Sequence, residues 1–315
     1  MKEDGPSPDR FRILVCIDGS DESYRGLRYA AKLGGGVNAD IVMVYVRPID
    51  QGLSSGGLQV RVARENMLNW GLELPGIQYL KKGWDILREL EQIGDEWTEE
   101  MVHTDVAGDP LGDNKIDYTN KQGQKVVLKL KVSNDVASGI LEQWEIGEYD
   151  LIILGAPDES RSLARSLIDP PIAEKVAMNA PCSVLVARGL EVGHGHLICT
   201  DGSDRALEMV AKDAMLASRC NCSISLISVS GDVESEPEAR HHLAEARQVV
   251  EEFGVEIEDV LSPVGDPVEE ITETGANYSV IVVSDSSRSG VEQFLVGGVT
   301  KRILRKAYNS VLVIR

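Results

Sequence analysis

Residues 280–315 read VIVVSDSSRSGVEQFLVGGVTKRILRKAYNSVLVIR. The apolar, β-branched run that opens it has the length of a buried strand. A Ser- and Gly-rich loop follows, then a helical pattern over 291–306, and the run over 310–314 closes the stretch as a second buried strand. Strand, loop, helix and strand in this order are where an α/β protein places a phosphate.

Working outward, the second half alternates in the same way. Strands are expected at 196–201, 222–229, 256–262, 279–284 and 310–314, and helices at 204–218, 237–253, 267–276 and 291–306. Apolar strands that alternate with helices predict a parallel sheet covered on both faces, with right-handed crossovers. Ligands of such doubly wound sheets bind beyond the C-terminal strand ends.

The first half repeats this pattern. FRILVCIDGSDESYRGLRYAAKL near the start and HLICTDGSDRALEMVAKDAML in the second half share a strand, an Asp-Gly-Ser-Asp turn (Asp18 to Asp21, Asp201 to Asp204) and a helix. Ser and Asp at the turn suit a helix N-cap. Asp18 lies 28 positions before Val46, as Asp201 does before Val229. YDLIILG (149–155) matches YSVIVVS (278–284), and APCSVLVAR matches AYNSVLVIR. The chain therefore reads as a tandem duplication, with domains at 1–190 and 191–315.

Spacing also locates an insertion. Asp18 to Tyr149 is 131 positions and Asp201 to Tyr278 is 77, so the first copy carries 54 extra residues, placed at about 51–125. Helical patterns (VRVARENMLNWGLEL, IQYLKKGWDILRELEQIGDEW) precede the alternating segments EMVHTDV, KIDYTN and QKVVLKLKV, which predict a β-hairpin or small ribbon. Two roles stay open for it: a surface for protein partners, or an extension covering a sheet edge.

Composition narrows the function classes. A net charge of −19, spread over both halves, excludes a surface for nucleic-acid backbones or anionic membranes. No apolar run approaches the ~20 residues of a membrane helix, and the polar MKEDGPSPDRFR start has no secretory character. A cytoplasmic location is the expectation. Five cysteines at irregular spacing make no disulfide framework. Cys16, Cys182 and Cys199 fall in strand patterns, and Cys220-Asn221-Cys222 lacks a second ligand pair in the sequence, so no metal is expected.

The DGSD turn after the first strand, Gly265-Asp266-Pro267 at the third strand's end, and the closing loop, helix and SVLVIR together resemble the universal stress protein family. The resemblance covers the chain apart from its leader and the insertion. It implies two five-stranded sheets of order 3-2-1-4-5, of the adenine nucleotide alpha-hydrolase-like type. It also implies pairing of the last strands (183–187 against 311–315) as an intramolecular pseudo-dimer, with a homodimer of whole chains also open. Family members that bind ATP or AMP carry G-x2-G-x9-G-[ST] before the last helix, and an Asp after the first strand on the adenosine side. Onto the second copy this maps Asp201, Gly202, Ser203, Val229, Gly265, Ser284, Ser287, Gly290, Gly297, Gly298 and Thr300. Ser284 and Ser287 replace the first two glycines. In the first copy Gly155 survives, but Asp158 takes the second glycine position and Asp169-Pro170-Pro171 the helix start. A carboxylate repels phosphate and prolines remove amide donors, so the first copy is expected to hold no nucleotide. The resemblance thus implies a non-catalytic stress-response binding protein. The alternative is a regulatory module with ATP or AMP as ligand of the second copy.

Other constellations point to structure. The paired carboxylates Asp18/Asp21 and Asp201/Asp204 suit turn and cap chemistry. His194 and His196 are expected in an interdomain linker, and His241-His242 on a solvated helix face. Lys301, Arg302, Arg305 and Lys306 could draw an anion, although cations near a helix C-terminus are favoured by its dipole. No Walker motif, HxGH or Ser/His/Asp order supports catalysis.

Overall fold

The computed structural model describes residues 10–35, 39–49, 75–107, 109–143, 148–156, 172–190, 195–284 and 296–315. The chain divides into two compact units, Met1–Gly155 and Ala156–Arg315.

Unit 1 is built on β1 (Phe11–Cys16), α1 (Asp21–Gly35) and β2 (Ala39–Pro48). Parallel β1 lies between β2 and β6 (Leu151–Gly155). On the far side of β2 runs β5 (Lys125–Ser133), also parallel. Ile13, Leu14, Val15, Ile41, Met43 and Leu151 through Leu154 are buried, as strands covered on two faces require. β3 (Thr98–Val106) and β4 (Asp109–Thr119) form an antiparallel hairpin that continues the sheet from β5. The expected ribbon is thus a sheet extension, and its third segment, β5, is a full member of the parallel sheet. The expected insertion also shifts. Helix α2 (Pro75–Glu89) packs on β2, β5 and α1, the position of an ordinary β–α–β crossover. Residues 51–74 lie outside the described residues. Short α3 (Val136–Leu141), capped by Asp135, leads into β6.

Unit 2 begins with α4 (Ile172–Asn179) and β7 (Ser183–Ala187). Then come β8 (His196–Cys199), α5 (Asp204–Cys220), β9 (Ile224–Ile227), α6 (Glu236–Glu252), β10 (Ile257–Leu261) and α7 (Pro267–Gly275). β11 (Val280–Ser284), α8 (Val296–Lys306) and β12 (Ser310–Ile314) complete it. Its strands lie in the order β10-β9-β8-β11-β12-β7. All neighbours are parallel except β12 and β7, where Val311 faces Val186 and Val313 faces Val184. That pairing explains why the compact units part at Gly155, although the sequence copies part near residue 190: the first copy's last helix and strand pack with the second copy.

Helix α5 shows how pattern becomes packing. Ala206, Met209, Val210, Ala214, Ala217 and Cys220 recur at helical spacing and are buried. Ser203 caps its first turn by accepting from the Ala206 amide. One charge breaks the buried stripe, Asp213, at 0% exposure. Its partner is His196, also buried, at the first position of β8. His196 is therefore a core strand residue, where the sequence suggested a linker. His194 lies outside the described residues.

The junction of β7 and β12 is closed by a reciprocal exchange. Arg188 donates to the carbonyls of Leu304 and Ala307 at the end of α8. Arg315, its counterpart in the repeat, donates to Ala177 in α4 and to Cys182 just beyond that helix. Each guanidinium thus meets carbonyls near the C-terminal, negative end of a helix. Ser310 accepts from the Arg188 amide, and Ser183 from the Arg315 amide.

Candidate functional site

The C-terminal ends of β8, β9 and β11 converge on a cavity of about 350 Å3. Its inner wall is apolar, from Ile227, Val229, Ile271, Val283 and Ile303, and its polar groups include Asp201, Ser230, Glu238, His242 and Thr300. An apolar wall with a few convergent polar groups suits a small organic ligand.

Four residues named by sequence line this cavity: Asp201, Val229, Ser284 and Thr300. Asp201 follows β8 and is exposed. Its Oδ1 accepts from the Ser203 amide (3.1 Å) and hydroxyl (2.7 Å), which fixes the turn and holds the carboxylate at the mouth. Thr300 is buried and its hydroxyl donates to the Ser284 carbonyl at 3.0 Å, tying α8 to the end of β11.

The other named residues hold the frame or lie elsewhere. Gly202 has φ +74°, and an added Cβ would run into the His242 ring, so this position needs glycine on two counts. Ser203 is the cap of α5. The Gly265 amide donates to the Ser230 carbonyl at 2.9 Å, prolonging the β9–β10 pairing past the strands. Gly297 and Gly298 fall in the first turn of α8, and a Cβ on Gly298 would meet nothing within 4 Å among the described residues. Ser287 and Gly290 lie outside the described residues, as do Asp158, Asp169, Pro170 and Pro171.

Sequence reasoning missed His242. It was expected on a solvated face with His241, and His241 is indeed well exposed, beside Glu245. One residue further round α6, His242 turns inward, covers Gly202 and lines the cavity. The available signal was its place one turn from buried Ala239 and beside Leu243, on the apolar side of α6. The helix-α8 cations also differ from expectation. Lys301 and Arg305 both hold Glu174, and Arg302 and Lys306 pair with Asp266 and Glu269. All four are spent on carboxylates.

Electrostatics at the site's edge follow from hydrogen bonding. Asp266 caps α7 by accepting from the Glu269 and Val268 amides. The Glu269 amide, then the Arg302 charge, hold its carboxyl below the usual range. Burial pushes the Cys199 thiol on the cavity wall well above its ordinary value, so it is a small apolar lining group.

Unit 1 has the matching turn but a different cover. Ser20 donates its amide (2.9 Å) and hydroxyl (2.5 Å) to Asp18. A Cβ on Gly19 (φ +86°) would lie 2.6 Å from the Tyr79 ring, so Tyr79 stands where His242 stands in unit 2. Tyr45 meets Tyr79 edge-on at 5.8 Å, and the Tyr24 hydroxyl donates to the Tyr79 carbonyl. Burial, then Tyr79 and the nearby aspartates, pushes the Tyr24 phenol up to about 12. Aromatic rings thus cover the unit 1 turn, where an imidazole covers the turn of unit 2.

The profile of the universal stress protein family matches residues 10–188 and 196–315. Universal stress protein Slr1230 of Synechocystis sp. is 24% identical over 309 residues, covering 96% of this chain and 99% of that protein. Universal stress protein MJ0531 of Methanocaldococcus jannaschii is 28% identical over 137 residues, covering 38% of this chain and 80% of that protein. Among solved structures, protein PA1789 of Pseudomonas aeruginosa aligns with a TM-score of 0.58 at 16% identity, over 97% of this chain and 92% of that one. A universal stress protein of Archaeoglobus fulgidus aligns with a TM-score of 0.54 at 16% identity, over 96% of each chain. Two profile matches in tandem, spanning nearly all of its length, place this chain in the universal stress protein family.

Proposed function

We propose that this chain is a non-catalytic, cytoplasmic stress-response protein that works by binding, and that its ligand site is the unit 2 cavity. The ligand class is an adenine nucleotide, AMP or ATP, with the adenosine part against the apolar wall. The carrying observation is the convergence of Asp201, Val229, Ser284 and Thr300 on one cavity at the C-terminal strand ends. The carboxylate of Asp201 at the mouth suits the ribose hydroxyls as an acceptor. Phosphates would turn toward the start of α8, where Gly298 leaves room for close approach.

A binding role fits the state of the polar groups. The Thr300 hydroxyl is engaged by the Ser284 carbonyl, and Asp201 by Ser203. Unit 1 is proposed to hold no nucleotide, with Tyr79 over its turn and Tyr45 edge-on against that ring as the support. The β3–β4 hairpin, which exposes Met101 and Val102, is the proposed surface for protein partners. The repeats are proposed to form an intramolecular pseudo-dimer, each a 3-2-1-4-5 sheet.

Calorimetric titration with adenosine, AMP and ATP tests the ligand reading. One site per chain is expected, and Asp201→Ala should weaken it about tenfold, the worth of one charge-assisted hydrogen bond. Two sites per chain would refute the assignment to unit 2. Binding that ignores Asp201→Ala would refute the placement at Asp201, and no binding of the three compounds would refute the ligand class.

A further inference from the structure

At the other end of β8 from the cavity sits a second cluster. His196 opens the strand at 0% exposure. Its Nδ1 lies 3.0 and 3.1 Å from the two carboxylate oxygens of Asp213, on α5. Cys220 ends α5, and Cys222 lies two residues on; both are buried. An imidazole nitrogen and the two sulfurs lie within 4.8 Å of one another.

Local structure brings these groups together. Asn221 adopts the left-handed conformation (φ 52°), so the chain reverses between the cysteines. The Cys222 amide returns to the Ala217 carbonyl. The His196 amide then donates to the Ser223 carbonyl at 2.9 Å, which holds the imidazole's strand against the C-x-C turn.

We propose that the reduced form of this cluster is a metal site, taking one thiophilic d10 ion, Zn(II) or Cu(I), on Cys220 Sγ, Cys222 Sγ and the His196 imidazole. Two thiolates and an imidazole are the donor set that such ions select. Asp213 engages Nδ1, which assigns the ligand role to Nε2 and fixes the ring, as a carboxylate does behind many metal-bound histidines. It also accounts for a charged residue on the buried face of α5. Three protein ligands in a closed site suit trigonal Cu(I). Two thiolates plus Asp213 suit the greater charge of Zn(II).

In the structure Cys220 and Cys222 are joined as a disulfide. Loading therefore begins with a thiol reductant. Two reductant thiols supply the electron pair that breaks the S–S bond, become joined as their own disulfide, and leave one proton on each cysteine sulfur. The ion then displaces those two protons to solvent as both sulfurs bind it as thiolates. Metal uptake would thus occur only under reducing conditions.

The test uses the full chain, reduced with excess dithiothreitol, desalted without oxygen, and titrated with Zn(II) or Cu(I) against a chromophoric chelator of each. One ion per chain is expected for at least one metal. The bound ion should protect Cys220 and Cys222 from alkylation, read by peptide mass spectrometry, and leave the labelling of Cys16, Cys182 and Cys199 unchanged. C220S/C222S should abolish uptake. D213N should keep the stoichiometry and weaken affinity about 10- to 100-fold. The alkylation arm needs no variant and so stands whether or not the variants fold. Failure of the reduced chain to take either ion would overturn the proposal. So would uptake undiminished in C220S/C222S, unaltered alkylation, or a cysteine pair that stays oxidised under reductant.

Discussion

At the residue scale, Glu174 shows how a buried charge is kept. Burial works to raise its carboxyl pKa, but hydrogen bonds from Arg305 (2.6 and 3.0 Å) and Lys301 outweigh this and hold it below the usual range. A carboxyl depressed in the folded state stabilises the protein above its unfolded pKa, and that contribution is lost as pH falls through the folded value. Glu174→Gln should therefore cost about 1 kcal/mol at pH 7, modest because Arg305 is half exposed, and almost nothing well below pH 4. Urea unfolding at both pH values reads the difference, and an equal loss at both would remove the charge explanation. Gly202→Ala should cost about 1–3 kcal/mol in thermal unfolding, since it meets both a positive φ and the His242 ring. The need for glycine here was legible in the DGSD turn; the histidine over it was not. Nor was the His196 cluster. Its members are scattered from position 196 to 222 and meet only because α5 ends beside the start of β8.

At the element scale, alternation and repeat spacing make most strands and helices legible in the sequence. The misreading of α2 as inserted chain has a clear source. Spacing gives the number of extra residues but not which are extra, and the crossover helix sits between a lengthened approach and an added hairpin. The paired SVLVAR and SVLVIR segments were legible as matching strands. That their arginines close the ends of other helices requires the antiparallel register of β7 and β12. Arg188→Ala and Arg315→Ala should each lower unfolding free energy by about 1–3 kcal/mol, from two charge-assisted hydrogen bonds apiece. Chemical denaturation would measure it. Lys in place of either arginine should recover only part, because one ammonium cannot reproduce the planar fork.

At the scale of the whole molecule, the duplication has kept some features in both copies and changed others. Both keep the Asp-Gly-Ser turn and the SVLV strand, but one turn lies under Tyr79 and the other under His242 at an open cavity. With β12 already covered by β7 of the same chain, sedimentation equilibrium should give one chain per particle over a wide concentration range. A concentration-dependent dimer would show another self-complementary surface. The arginine exchange also bears on the chain's history. In a symmetric pair of identical chains, every substitution is imposed on both partners at once. Here both sides of the exchange are written in one gene, so the helix ends remain mutually locked while each copy mutates alone. One copy could set a tyrosine over its turn while its twin set a histidine there, and a matched pair became free to diverge.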